Sequence, residues 1–463
     1  MKVQLPKKIL EILKRFEEKD FEIYIVGGAV RDILMGKIVY DWDFTTNAAP
    51  EEILKLFKNS YYDNVFGTVG ISPEKEGERP YEITTFRTEY GYSDTRHPDK
   101  VIWGKTLEED LSRREATISA MALRLTSFAQ GKPSKKYSEV DMELIDPYNG
   151  QGDLKEKIFR AVGDPDERYH EDALRMIRAI RISAQLGFTI EDKTLQGIKN
   201  NTPLINKIAK ERVRDELLKI LASPYPAEGI ELLRNAGLLV EIIPELEKCF
   251  GVEQKSPGRH HIYDVGTHSL MSLKFCPSQD PIVRLATLIH DVGKPQTYKK
   301  LENGTITFYN HEVVSTKVAS RIADRLRLSN RQKSKLINLI RWHQFTVDER
   351  QTDSAIRRFI RNVGIENVSD ILDLRVGDRL GGGARETSWR LEEFKKRLIE
   401  VQKQPFTVHD LKIDGNNVMK ELGLKPGPKI GEILQKLYEE VVDKKIPNEK
   451  KELLERLGKI SAS

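Results

Sequence analysis

The amino-acid sequence predicts an α+β chain, a small mixed-sheet head followed by helical segments to the end. Three observations predict it. Short β-rich runs bounded by Gly and Pro are confined to the first 145 residues. From Asp146 onward, apolar residues recur at helical spacing instead. A chain of 463 residues, 39% hydrophobic and 32% charged, suits a helix-rich globular protein of roughly three or four domains.

The elements follow in order. The opening stretch MKVQLPKKILEILKRF sets Ile9, Leu10, Ile12, Leu13 and Phe16 on one helical face; it has no long apolar core and no cleavage site, unlike a signal peptide. Phe21 to Val26 reads as a strand, followed by Gly27-Gly28, a short helix and a second strand-like run ending in Asp41-Trp42-Asp43. Pro50 opens a helix through Phe57, since Pro is favourable at a helix start. Val65–Ile71 and Tyr81–Phe86 read as strands around a turn, 87–105 as a long loop, and Thr106–Leu125 as a helix. Leu154–Val162, Tyr169–Leu186 and Ile205–Leu221 carry helical periodicity, helices continue over 226–400, and Pro405 marks a break. The boundaries that result are 1–145 for the head, 146–225 for a helical neck, 226–400 for a histidine-bearing helical domain and 401–463 for a helical tail.

A net charge of +5 permits a nucleic-acid partner without requiring one. Two cysteines, Cys249 and Cys276, make a disulfide framework improbable and fit a reducing compartment. No stretch approaches eighteen uncharged apolar residues, so no membrane span and a cytoplasmic location are expected.

The first chemical constellation surrounds Gly27-Gly28. Two glycines at a strand-to-helix turn let backbone N–H groups approach a phosphate. Asp41 and Asp43, two apart on a strand, would share a face and suit Mg²⁺ against a triphosphate. Glu82 adds a third carboxylate on a neighbouring strand, and Arg31 is placed for phosphate oxygens or for a surface salt bridge. The chemistry is metal-dependent nucleotidyl transfer.

These motifs, GGAVRD at 27–32, DWDFTTNAAPEEILKLF at 41–57, GTV at 67–69 and EITTFRTEYGYSDTRHPD at 82–99, continue with DLSRREATISAMAL at 110–123, the run from DPYNGQGD at 146 to LGF at 188, and ERVRDELLKIL at 211–221. In that order they resemble the bacterial (class II) CCA-adding tRNA nucleotidyltransferases and their poly(A) polymerase relatives. The resemblance implies that Asp41 and Asp43 bind catalytic Mg²⁺ and that 113–115 contacts ribose and triphosphate. Here the chain departs: the family reads Arg-Arg-Asp, whereas this sequence has Arg113-Arg114-Glu115. Both arginines stay available to phosphate. Shortening around 87–105 accompanies addition of CC alone in the family, and this region looks full-length. Addition of C, C and A, or of the terminal A alone, both remain open.

A base-reading pair follows. Asp172 and Arg175, three apart on a predicted helix, share a face. A carboxylate accepts from the amino group of cytosine or adenine, and arginine donates to the ring acceptors; uracil and guanine would leave buried polar groups unpaired, at about 1–3 kcal/mol each. By itself the pair also reads as an intrahelical salt bridge; the resemblance implies nucleobase selection, with Glu171 bracing Arg175 and Arg178 assisting.

Of nine histidines, six lie between 260 and 343: His260, His261, His268, His290, His311 and His343. Such grouping suggests divalent-metal ligation. HHIYDVGTHSL at 260–270, LIHDVGKP at 288–295 and RVGDRLGG at 375–382 resemble the HD phosphohydrolase superfamily. That resemblance nominates His268, His290, Asp291 and Asp378 as ligands of a second divalent metal of unspecified identity, with His311 and His343 completing a second position. It implies phosphomonoester or 2′,3′-cyclic phosphodiester hydrolysis. The tail, with its PGPK turn and lysines, is expected to grip tRNA. The expected partners are therefore a tRNA 3′ end, CTP and ATP. Poly(A) polymerase, or an HD phosphohydrolase with a silent RNA-binding head, stands as the alternative.

Overall fold

The computed structural model describes residues 1–64, 67–73, 79–90, 100–103, 106–128, 137–254, 262–345, 347, 351–385, 388–402, 408–442 and 445–461. The chain divides into two compact units, Met1–Lys248 with Ile322–Leu328, and Cys249–Arg321 with Ser329–Ser463.

The first unit opens with β1 (Lys2–Pro6), α1 (Lys7–Glu17), β2 (Ile23–Val26), α2 (Gly28–Leu34), β3 (Asp43–Thr46) and α3 (Pro50–Leu56). Then come β4 (Ser60–Asn64), β5 (Thr68–Ile71), β6 (Tyr81–Thr85), β7 (Arg87–Tyr90), β8 (Lys100–Trp103) and α4 (Leu107–Ser112). After β9 (Ala122–Phe128) and β10 (Tyr137–Ile145) the chain turns helical. Eight strands form one mixed sheet in the order β1-β10-β9-β2-β3-β6-β5-β4. Among the described residues, only the β3–β6 pair in it is parallel. α1 buries the five apolar residues of its expected face. They join Leu5, Ile25, Phe44, Ile83, Leu123 and Val140 in one core.

Several elements differ from the sequence expectation. The strand expected to end at Asp43 instead begins there, because Val26 pairs with Asp43 as β2 meets β3 antiparallel. The strand expected from Val65 begins at Thr68 in β5; residues 65 and 66 lie outside the described set. The helix expected over Thr106–Leu125 stops at Ser112: Ala116 is extended, and Thr117 N–H bonds to the Arg160 carbonyl rather than back along a helix. Residues 123–126 then alternate, with Leu123 and Leu125 buried and Arg124 and Thr126 exposed, which is a strand period. The long loop at 87–105 contains an antiparallel ribbon of β7 and β8; residues 91–99, 104 and 105 lie outside the described set. β1, β4 and β10 were not anticipated. β10 reads as charged (YSEVDMELI) because acidic residues occupy its outward positions.

Beyond the sheet lie α5 (Gly150–Glu156), α6 (Pro165–Glu171), α7 (Leu174–Leu186), α8 (Asp192–Asn201) and α9 (Lys210–Leu221). The helix expected over Leu154–Val162 ends at Glu156, and Ile158–Phe159 pairs in parallel with Thr189–Ile190. The helix expected over Tyr169–Leu186 is two helices, broken at Asp172.

In the second unit, the helices Val265–Phe275 and Val368–Gly381 approach closely. A Cβ on Gly377 would lie 2.6 Å from the Ser272 carbonyl oxygen, so only glycine admits this spacing. The tail has a core of its own, including Leu411, Val418, Leu437, Leu453 and Leu457. Among the described residues no helix is long and apolar enough to cross a membrane.

Candidate active site and metal centre

Three adjacent strand ends build the head site. Val26 closes β2 and is in register with Asp43, and Asp43 is in register with Glu82 across the parallel β3–β6 pair. Register neighbours point to one face, so Asp43 and Glu82 share it. Asp41 lies just before β3 rather than on it. Its carboxylate is exposed and takes Arg79 at 2.8 Å. Burial raises the Asp43 carboxyl above its ordinary range, and the Asp41 charge adds to that, opposed by Arg114, Arg178 and Arg79. A buried carboxyl that resists ionising, with a second acid close by, is a fitting cradle for a divalent cation, whose charge removes the penalty.

Gly27, at φ +69°, takes a backbone conformation that L side chains rarely adopt. A Cβ there would meet Arg114 Nη1 at 3.0 Å and Asp43 Oδ2 at 3.4 Å. The bare backbone thus lets a guanidinium and the carboxylate converge. Arg31 folds over Gly28 and pairs with Asp32 at 2.8 Å. α2 has seven residues.

One residue to which the sequence reading gave no role organises the arginines. Asp110, fully buried on α4, accepts from Arg113 Nη2 at 2.7 Å and Nε at 3.1 Å, and from Arg114 Nη2 at 3.0 Å. Burial alone would raise its carboxyl, but the two guanidiniums overcome that and lower it to about 2. The signal lay in the spacing: Asp110 stands three and four residues before the arginines, so one helical turn brings all three together.

The pair expected to read the base is built differently from expectation. Asp172 sits in the break between α6 and α7, at φ −142° and ψ 104°, not on a helical face with Arg175. Its Oδ1 accepts from Leu174 N–H at 3.0 Å, starting α7 as short polar side chains do at helix starts. Its Oδ2 lies 3.4 Å from Arg212 on α9. Arg175, in the first turn of α7, donates from Nη1 to Glu171 Oε2 at 2.8 Å. Arg178 faces Glu115, with Nη2 donating to Oε1 at 2.9 Å and Nε 2.7 Å from Oε2.

In the second unit the histidine motifs converge. His268 Nε2 lies 3.2 Å from Asp378, and His290 Nε2 is 3.1 Å from Asp291. His311 Nε2 is 3.1 Å, and His343 Nε2 3.7 Å, from the other Asp291 oxygen. Ligand atoms of His268, His290 and Asp378 lie within 4.8 Å of one another, as do those of His290, Asp291 and His343. His290, His311 and His343 each turn Nδ1 to a carbonyl three residues back, at 2.7, 2.8 and 2.7 Å. A carbonyl only accepts, so Nδ1 carries a proton and Nε2 is the atom turned to the cluster. That is how metal-ligating imidazoles are held. The buried Nε2 atoms of His290 and His311 face the Asp291 carboxylate at 3.1 Å without hydrogen-bond geometry to any of the described residues. Burial lowers His290, but Asp291 and Asp378 raise it to about 10; burial and the charge of His290 push His343 down to about 3. Lys294, which the sequence reading passed over, lies 2.6 Å from Asp291 and donates to Gln254 at 2.9 Å. A cavity of about 360 Å³ opens on the cluster. His260 and His261 lie outside the described residues.

The chain matches three family models: the poly(A) polymerase head domain over residues 23–160, an RNA- and SrmB-binding site of polymerase A over 187–250, and a tRNA nucleotidyltransferase domain 2 over 305–457. It is 33% identical to the CCA-adding enzyme of Ligilactobacillus salivarius, covering 98% of this chain and 96% of that one. It is 41% identical to the Lactobacillus helveticus CCA-adding enzyme over 253 residues, 52% of this chain and 59% of that one. The fold is similar to the Bacillus stearothermophilus CCA-adding enzyme in complex with CTP, with a TM-score of 0.70, 24% identity and coverage of 98% and 97%. Nucleotidyltransferases of this family depend on a divalent metal. On near full-length identity to curated members, the chain belongs to the CCA-adding enzymes, a family of tRNA nucleotidyltransferases.

Proposed function

We propose that this chain adds C, C and A to the 3′ end of tRNA from CTP and ATP, without a nucleic-acid template. The tRNA 3′-hydroxyl attacks the α-phosphate and pyrophosphate leaves. Magnesium, held by Asp41 and Asp43 with Glu82 beside them, would supply charge stabilisation to the pentavalent phosphorus and polarise the hydroxyl. Arg113 and Arg114 meet the triphosphate, with Gly28 and Arg31 along its approach. Asp172 and Arg175 select the base, and Arg178 lies beside them. The observation that carries the reading is the strand-end site: Asp43 and Glu82 share one sheet face, and Arg114 and Asp43 converge on the bare backbone of Gly27. The four-part division at 145, 225 and 400, the tRNA-gripping role of the tail and a cytoplasmic location belong to the same proposal.

The test supplies tRNA ending before CCA, after C or after CC, with CTP, ATP, GTP and UTP singly and together. Stepwise C, C and A addition is expected. Addition of A only, and only to the CC-ending tRNA, would make this an A-adding enzyme; long A tails on many RNAs would make it a poly(A) polymerase; no incorporation at all removes the transferase reading.

A second reading concerns the histidine cluster. Three rings with Nδ1 tied to carbonyls and Nε2 turned inward support a resident divalent metal held by His268, His290, Asp291 and Asp378, with His311 and His343 at a second position. Its reaction would be hydrolysis of a phosphomonoester or 2′,3′-cyclic phosphodiester. Phosphate release that survives both His290→Ala and Asp291→Ala would remove that assignment.

A further inference from the structure

At position 115 this chain carries Glu where the resemblance expects Asp, and the structure gives the extra methylene a use. The Glu115 carboxylate is only 15% exposed and is engaged by the Arg178 guanidinium through both oxygens. Arg178 comes from α7, three residues beyond Arg175 and so on the same helix face. The two partners are 63 residues apart in sequence. Arg178 also lies within the field of the head site, since its charge is among those that steady the Asp43 carboxylate. With 39% of its side chain exposed, Arg178 keeps an open side away from Glu115. Burial opposes the Glu115 charge, yet Arg178, Arg181 and Arg175 more than offset it and hold the carboxyl below its ordinary range. Glu115 is therefore ionised and already engaged before any nucleotide arrives.

We propose that Glu115 is a positioning residue, which fixes Arg178 at the edge of the nucleotide site and makes no contact with the ribose. The proposal rests on the nucleotidyl-transfer reading above. An Asp at 115 would withdraw the carboxylate by about 1.5 Å, one carbon–carbon bond, and forfeit the two-point pairing. Glu115 thus ties the segment that carries Arg113 and Arg114 to the helix that carries Arg175.

The test uses the full-length chain with tRNA lacking CCA, and CTP or dCTP as donor. Variants are Glu115→Asp, Glu115→Gln, Arg178→Gln and the double Glu115→Gln/Arg178→Gln. Each single substitution is expected to raise KM for CTP about tenfold with kcat within about threefold, and the double to be no worse than about threefold beyond the weaker single. The preference for CTP over dCTP should stay within about twofold of the unsubstituted enzyme. Thermal unfolding midpoints of all four keep a folding defect apart from a lost contact. Glu115→Asp is the sharpest arm. If Glu115 met the ribose, the shorter acid would serve as well or better, so an unchanged or lower KM overturns the proposal. So does a fall in CTP-over-dCTP preference confined to the Glu115 variants, or full additivity in the double. Failure of the underlying reading looks different: the unsubstituted enzyme would then incorporate no nucleotide.

Discussion

The molecule holds two clusters of acids and bases built to opposite rules. In the head, the Asp43 carboxyl stays raised in spite of Arg114, Arg178 and Arg79, while Asp41 stands in solvent beside Arg79. In the second unit, Asp291 is wholly enclosed, drawn well below its ordinary range against burial by His290 and Lys294, and surrounded by four imidazoles. The difference lies in who brings the charge. On the proposed function, the head would take a cation that arrives with its nucleotide. The second cluster, on the reading proposed above, would hold an ion that stays, with its rings oriented by the backbone beforehand. A transfer site must release its product with each turn, so incomplete charge satisfaction suits it; a resident centre gains from complete enclosure.

Substitutions sharpen this contrast. Asp43→Ala should have the largest effect, a loss of nucleotide addition of about 10³-fold or more, because metal stabilisation of the reacting phosphate goes with it. Its thermal midpoint should hold or rise, since a carboxyl that resists burial is removed. Radiolabelled CTP incorporation together with a melting curve checks both. Asp172→Ala should lower the preference for C and A over U and G by about 10- to 100-fold, equivalent to roughly 1–3 kcal/mol of lost discrimination, measured as relative kcat/KM for the four nucleotides. Unchanged selectivity would refute its base-reading role.

Asp110→Asn should raise KM for both nucleotides about tenfold by freeing Arg113 and Arg114. It should also cost on the order of 2 kcal/mol of stability at neutral pH. The sign follows from the depressed carboxyl. The unfolded group titrates near 4 and the folded one at about 2, so the stabilisation is complete above the first value and fades as pH falls toward the second. Thermal unfolding midpoints taken across pH should therefore separate the variant from the parent near neutrality and converge near pH 2. The smallest effect on addition is expected from His290→Ala, within about threefold of the parent, although metal content by elemental analysis should fall. If His290→Ala silenced the head as thoroughly as Asp43→Ala, the two clusters would not be separate centres.

Much of this was legible in the sequence where partners sit close together. Gly27 and Asp43, or His290 and Asp291, announce themselves because the residues and their spacing already limit the chemistry. The failures have a common cause in distance. β1 pairs Lys2 with Asp141, so neither strand is marked by a nearby turn. β10 hides its alternation behind acidic residues facing outward. Asp172 looks helical by composition, and only its capping bond to Leu174 N–H reveals the break. Glu115 and Arg178 find each other across 63 positions, beyond any local pattern.

The Asp110 clamp has one more consequence. Two guanidiniums held by one buried carboxylate are mounted on a single rigid base. Arg113 and Arg114 are then one electrostatic hand rather than two fingers. A change at Asp110 would be felt by both arginines at once, and a change at either arginine would reach the other through the shared carboxylate.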